Sequence, residues 1–201
     1  MVKSKKMITR DQALAFLNEK IENKNIVRHM LATEALMRAL YQKLDGKESS
    51  SAKASEDTWG VAGLLHDGDY CPKVPPEKQG VRVTEMLREK GYEIPENVAQ
   101  AMAAHNWSNN GVEPKSLMDW ALFCGDSLTG LIVAATLVLL SRKLADLTAE
   151  NVLNRFKEKG FAKGTRKEDI ALCGEKLGIP LEEFVQIGLK AMQGISQDLG
   201  L

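Results

Sequence analysis

The chain has 201 residues, long enough to bury a real core in one domain, and it is 44% apolar and 27% charged, as ordinary globular proteins are. Lysine and arginine together number 27, and so do aspartate and glutamate. That balance excludes a charge-driven attraction to a nucleic acid duplex or an anionic membrane.

The cysteines Cys71, Cys124 and Cys173 are odd in number, widely spaced and form no C-x-x-C pair. This argues against a disulfide framework and fits a reducing cytoplasm. Lys3-Ser4-Lys5-Lys6 is basic, but no apolar run follows it, so it reads as a solvated terminus rather than a targeting signal.

In chain order the pattern is helical almost throughout. Thr9 is placed to cap a helix running to about Glu22. A second helix runs from about Asn25 to Leu44, with a stripe of Ile26, His29 or Met30, Thr33, Met37, Leu40 and Leu44 at helical spacing. His29 is therefore on or beside its inward face. Residues 46–55 are rich in Ser, Lys and Glu and read as a surface loop. The apolar run from Trp59 to Leu65 then ends in His66-Asp67 and is stopped by Gly68.

Prolines 72, 75 and 76 mark a loop, followed by a helix expected from about Pro76 to Lys90 and closed by Gly91. Pro95 opens another helix that reaches about His105. Pro114 opens the segment leading to Cys124. Asp126 is then expected just before a core helix that runs on to about Leu140. The apolar stretch Ala121–Leu140 has the length of a membrane span, but Asp126 within it and the polarity of the rest favour a buried core helix. Three shorter amphipathic helices should begin near Thr148, Arg166 and Pro180. The expected class is all-α, a multi-helix bundle with extra C-terminal helices: residues 1–146 form the metal-binding helical domain, and 147–201 an extension packed on it.

The chain has only three histidines, and His66 is paired with Asp67 at a helix end. Imidazole and carboxylate are the side chains that most readily hold a divalent metal, and they are costly to bury without a partner. Taken singly, each candidate has a plainer reading. His29 fits a satisfied core histidine, His105 a helix end, and Asp126 an N-cap. Cys71 fits a turn before Pro72 as well as it fits a ligand or nucleophile. Together, His29, His66-Asp67, His105 and Asp126 fall on separate helices or helix ends, and bundles build metal sites in that way.

This order resembles the HD superfamily of metal-dependent phosphohydrolases, an all-helical family with the signature H…HD…D. The match covers about residues 25–143. It is carried by Val27-Arg28-His29-Met30, Gly63-Leu64-Leu65-His66-Asp67, Ala104-His105-Asn106 and Cys124-Gly125-Asp126. The resemblance implies that His29, His66, Asp67 and Asp126 bind one divalent ion, of Mn, Mg, Zn, Co, Ni or Fe. It gives His105 and Asp67 catalytic roles, with His105 either at a second site or in contact with phosphate. Two-metal members carry another histidine after the HD loop. Glu77-Lys78-Gln79-Gly80 has none, which favours one metal, with Asp69 either an extra carboxylate or a turn residue.

A small phosphorylated substrate also needs cations for its oxygens. Arg28, beside His29, and Lys143, beyond the core helix, are the candidates. The basic segment from Arg155 to Lys167, with Lys157, Lys159, Lys163 and Arg166, reads as a solvated face, the alternative being that it reaches an anionic substrate. The implied activity is hydrolysis of a phosphate ester such as a nucleotide. A non-catalytic regulatory module and a di-iron oxygenase on the same fold are the alternatives, and a homo-oligomer is left open.

Overall fold

The computed structural model describes residues 6–44 and 55–201. The expected terminus at residues 3–5 and most of the expected loop at 46–55 lie outside the described residues. The architecture is an all-α multi-helix bundle.

Helix α1 (Arg10–Lys20) starts at Thr9, whose hydroxyl accepts the Gln12 N–H while the Gln12 side chain accepts the Thr9 N–H. Helix α2 (Lys24–Leu44) buries Val27, Met30, Met37, Leu40 and Leu44 on one stripe. Helix α3 (Glu56–Leu65) is capped by Ser55 and packs along α2. The two approach closely because position 63 has no side chain: a Cβ on Gly63 would stand 2.8 Å from the Thr33 carbonyl oxygen.

The expected helix from Pro76 to Lys90 is in fact two pieces, a single 3₁₀ turn (Pro76–Lys78) and α4 (Arg82–Glu89). The break is at Gly80, whose φ of +81° is left-handed and costs other residues strain. A short parallel pair, β1 (Lys6–Met7) with β2 (Tyr92–Glu93), ties the start of the chain to the end of α4. Helix α5 (Glu96–Ala104) follows Pro95, and α6 (Trp107–Asn110) is a single turn.

Helix α7 (Leu117–Leu137) is continuous, which corrects the expectation that a helix begins at Asp126. Its start is Ser116, in a reciprocal cap with Asp119, and Asp126 is near its midpoint. It ends at Leu137 rather than Leu140, which is fully exposed. The helix is long and apolar enough to cross a membrane, and 67% of that stretch is buried inside the protein.

Helix α8 (Ala149–Lys157) begins after Thr148. The helix expected near Arg166 is divided at Leu172 into α9 (Lys167–Ala171) and α10 (Cys173–Leu177). Helix α11 (Leu181–Gln193) and a terminal turn, α12 (Ser196–Leu199), complete the chain. Helices α8 to α11 pack on α7, and α11 and α12 also pack on α2. Phe184, Val185 and Met192 of α11 are buried in the same core as Leu36 and Leu128. All three cysteines are free.

Candidate metal centre

Four helices deliver the histidines and acidic groups to one place. His29 comes from the second turn of α2, His66 caps the C-terminal end of α3, and Asp67 follows it in the turn. His105 ends α5, and Asp126 projects from the middle of α7. Adjacent residues on a helix diverge by about 100°, so His66 and Asp67 can face one point only where the helix stops.

His29 Nε2 is 2.9 Å from Asp126 Oδ1 and 3.2 Å from His66 Nε2. His66 Nε2 is 3.7 Å from both Asp67 Oδ2 and Asp126 Oδ1, and His105 Nε2 is 3.4 Å from Asp67 Oδ1. Two groups result that could hold a metal ion: His29, His66 and Asp126, and His66, Asp67 and His105. In each, the candidate ligand atoms lie within 4.8 Å of one another.

The other nitrogen of each ring decides what the cluster wants. His66 Nδ1 is 2.7 Å from the Gly63 carbonyl oxygen, and His105 Nδ1 is 2.5 Å from that of Met102. A carbonyl only accepts, so both Nδ1 atoms carry the hydrogen. The Thr129 hydroxyl donates to the Asp126 carbonyl at 2.8 Å, leaving its oxygen to accept from His29 Nδ1 at 3.1 Å. In the neutral rings every Nε2 is therefore a lone pair. Three lone pairs and two carboxylates facing one small volume repel unless positive charge, from protons or a metal ion, stands among them. Ring nitrogens fixed in this way by an outer hydrogen bond are the usual support of metal-binding histidines.

The ionisation of these groups reports the same field. Burial alone would lower the pKa of His29, but contact with Asp126 and the charges of Asp126 and Asp67 outweigh it and hold it above the ordinary value. His105 is raised likewise, with Asp67 overcoming its burial. Burial works against the charged form of Asp67, yet the neighbouring His66 and His105 bring its pKa down to about 2. Asp126 is held well below the usual carboxylate range by His29 and His66, again against burial.

Asp69, two residues from Asp67, has the opposite surroundings. It is fully buried, and its carboxylate accepts the Gly80 N–H at 2.9 Å and the Val83 N–H at 2.8 Å. It is the turn residue of the two readings left open, and it pins the break before α4 against the HD turn. Burial raises its pKa, and those backbone donors oppose the rise. Gly80 is held there without alternative: a Cβ would stand 2.3 Å from the Met102 oxygen and 3.0 Å from the His105 ring. Asn106 adds to the clamp, donating to the Pro76 carbonyl at 2.7 Å and to that of Gln79 at 3.2 Å.

The cluster opens into a cavity of about 320 Å³. His29, Asp67, His105 and Asp126 form one side; Tyr70, Gln79, Asn109, Gly164, Thr165 and Arg166 are among the residues that enclose it. Neither Arg28 nor Lys143 lines it. One position along α2 turns Arg28 away from the direction of His29, and it lies exposed against Asn25 and Gly200. Lys143 is exposed on the stretch that leaves α7 after Leu137. Cys71 belongs to neither candidate ligand group.

The sequence reading missed two groups, Thr129 and Tyr70, and weighed a third, Arg166, only as one member of its basic segment. Thr129 could have been found, because it stands one turn from Asp126 on the same helix face. Tyr70, at the cavity rim and 50% exposed, follows the HD turn but has no distinguishing pattern. Arg166 was part of a basic run that reads as solvated, and nothing local separates it from its neighbours. No protein-family model, no curated protein and no solved structure matches this chain.

Proposed function

We propose that this protein is a metal-dependent phosphohydrolase of the HD type, acting on a small phosphate ester such as a nucleotide. The observation that supports it is the set of three anchored imidazoles whose free nitrogens converge with two carboxylates at the side of an open cavity. A catalytic metal site needs such ligands together with access for substrate.

His29, His66, Asp126 and Asp67 would hold the ion. Both candidate groups include His66, and one Nε2 lone pair ligates one ion, so a single metal is favoured over two. That same economy speaks against the di-iron alternative. Mixed imidazole and carboxylate ligands suit Mn²⁺, Fe²⁺, Co²⁺, Ni²⁺ or Zn²⁺ better than Mg²⁺. When bound, the ion supplies Lewis acidity toward a phosphoryl oxygen and lowers the pKa of a water.

The chain's own residues do the rest. Asp67, ionised at any physiological pH, holds a proton on His105 Nε2 through its Oδ1. His105 lines the cavity, so that proton is within reach of a leaving group there.

Elemental analysis of the purified wild type and Asp67→Ala, paired with a phosphate-release screen under several added metals, tests this reading. The expected result is about one equivalent of metal in the wild type, reduced in the variant together with turnover. Equal metal in both proteins removes Asp67 from the site. Metal lost in the variant without turnover in either leaves a metal-dependent binding module.

A further inference from the structure

If the cavity admits a phosphate ester, something on its wall must meet the anionic oxygens that the metal does not. Among the described residues that line it, Arg166 is the one lysine or arginine. It comes from the C-terminal extension, in the connection between α8 and α9, and crosses to the same cavity as the HD cluster.

Its guanidinium is held on three sides. Nε is 2.6 Å from Asp169 Oδ2, Nη1 donates to the Ser108 hydroxyl at 2.6 Å, and the plane sits 5.6 Å from the centre of the Phe123 ring. Phe123 is itself fixed by Trp107 and Trp120. Nη2 has no hydrogen-bond partner among the described residues, so its N–H donors remain for a ligand. The backbone before it is held close to α7, since a Cβ on Gly130 would lie 3.3 Å from the Thr165 hydroxyl. Gly130 is one turn beyond Asp126, and both line the same cavity as Thr165 and Arg166.

We propose that Arg166 binds the substrate's anionic oxygens, and that the substrate presents a single phosphoryl group here rather than a polyphosphate chain. The first part follows from the free Nη2 donors beside the proposed metal site and therefore rests on that reading. The second follows from charge. Beyond the proposed metal and the His105 proton, which face the reacting phosphoryl group, Arg166 is the one lysine or arginine among the described residues lining the cavity, so no further side-chain cation meets the charge of a second or third phosphate. With Nε and Nη1 engaged, Nη2 is held in place as a directed, permanently charged donor, which a flexible lysine ammonium would not reproduce in full.

The test is calorimetric binding of inorganic phosphate to wild type, Arg166→Gln and Arg166→Lys, each with metal content measured and folding checked by circular dichroism. Metal content should be unchanged in both variants. Phosphate affinity should fall by about tenfold to a hundredfold in Arg166→Gln, the loss expected for a charge-assisted hydrogen bond, and recover in part in Arg166→Lys. In excess metal, adenosine triphosphate should bind no more than about threefold more tightly than the monophosphate, whereas two added charge contacts would give far more.

Undiminished phosphate binding in Arg166→Gln overturns the role of Arg166, and so does a wild type that binds no phosphate with or without metal. A tenfold preference for the triphosphate overturns the single-phosphoryl class. A wild type that takes up no metal yet binds phosphate through Arg166 overturns the metal reading and keeps this one. Should Arg166→Gln fail to fold, Arg166→Lys decides: affinity equal to wild type overturns the role, and a partial loss upholds it.

Discussion

On one side of the cavity, His29, His66 and His105 are each tied at Nδ1 to a neighbour and rise from helices buried in the core. On the other, Arg166 stands on a connection between two short helices, beside an exposed Gly164 and a half-exposed Tyr70. The first side is over-determined: its geometry follows from the packing of α2, α3, α5 and α7, so it cannot drift without disturbing the core. The second is held by contacts of Arg166 with Asp169, Ser108 and Phe123 and by the approach of Thr165 to Gly130. Chemistry common to many substrates belongs on a rigid frame, and selection among substrates belongs where the chain can vary.

The largest expected effect separates frame from ligand. Asp69→Ala leaves the buried Gly80 and Val83 N–H groups without acceptors and should lower stability by about 2–3 kcal/mol. In a chain of this length that lowers the melting temperature by about 5–10 °C. Metal content at neutral pH should stay near the wild-type value, because Asp69 faces backbone donors and not the cluster. Thermal melts with elemental analysis check both halves, and a loss of metal equal to that of Asp67→Ala would erase the distinction between the two aspartates.

Next comes Thr129→Val, which keeps shape and removes the acceptor of His29 Nδ1–H. Metal affinity should fall by about tenfold to a hundredfold, measured by competition with a chelating dye. Arg166→Gln, on the other side of the cavity, should leave the same titration unmoved. A matching loss in both variants would mean that the two sides are one coupled unit.

The smallest effect is in pH. His29 and His105 have raised pKa values in the folded chain without metal, so their contribution to stability is complete below the unfolded value of about 6.5 and is lost as pH rises through the folded values. Asp67 and Asp126 are depressed, so theirs is complete above about 3.9; that of Asp67 is lost as pH falls toward about 2, and that of Asp126 is lost as pH falls through its own depressed value. With chelator present, the cluster stabilises most between those limits and less at pH 8. A metal ion displaces the proton of its ligand His29 and leaves that of His105, so the stabilisation by added metal should grow by a few degrees of melting temperature from pH 6 to pH 8. A metal increment that is flat with pH would contradict the displacement.

Most of the frame was legible in the sequence because it is built from periodic helices. His29 stood on the inward stripe of α2, and His66-Asp67 stood before a glycine. The start of α7 was misjudged because Asp126 next to Ser127 imitates a cap, while the true signal, Ser116 three residues before Asp119, lay ten residues upstream. The break at Gly80 was missed because a lone glycine after a proline turn does not declare the sign of its φ. The substrate side was not legible. Arg28 and Lys143 were chosen by nearness in sequence to other candidates. Arg166 reaches the cavity only through a fold-back that brings it to Ser108, 58 positions earlier.

Helix α11 crosses α7 at Gly188, where a Cβ would stand 2.9 Å from Leu128 and 3.3 Å from Ile132. The extension and the segment bearing the histidines thus divide one interior between them instead of meeting at a seam. Such a pair is inherited together. A descendant cannot acquire a new ligand preference by exchanging its last fifty-odd residues for those of another lineage, since the graft would have to match the interior of its host. Point changes around Gly164, where the chain meets solvent, disturb that shared interior least.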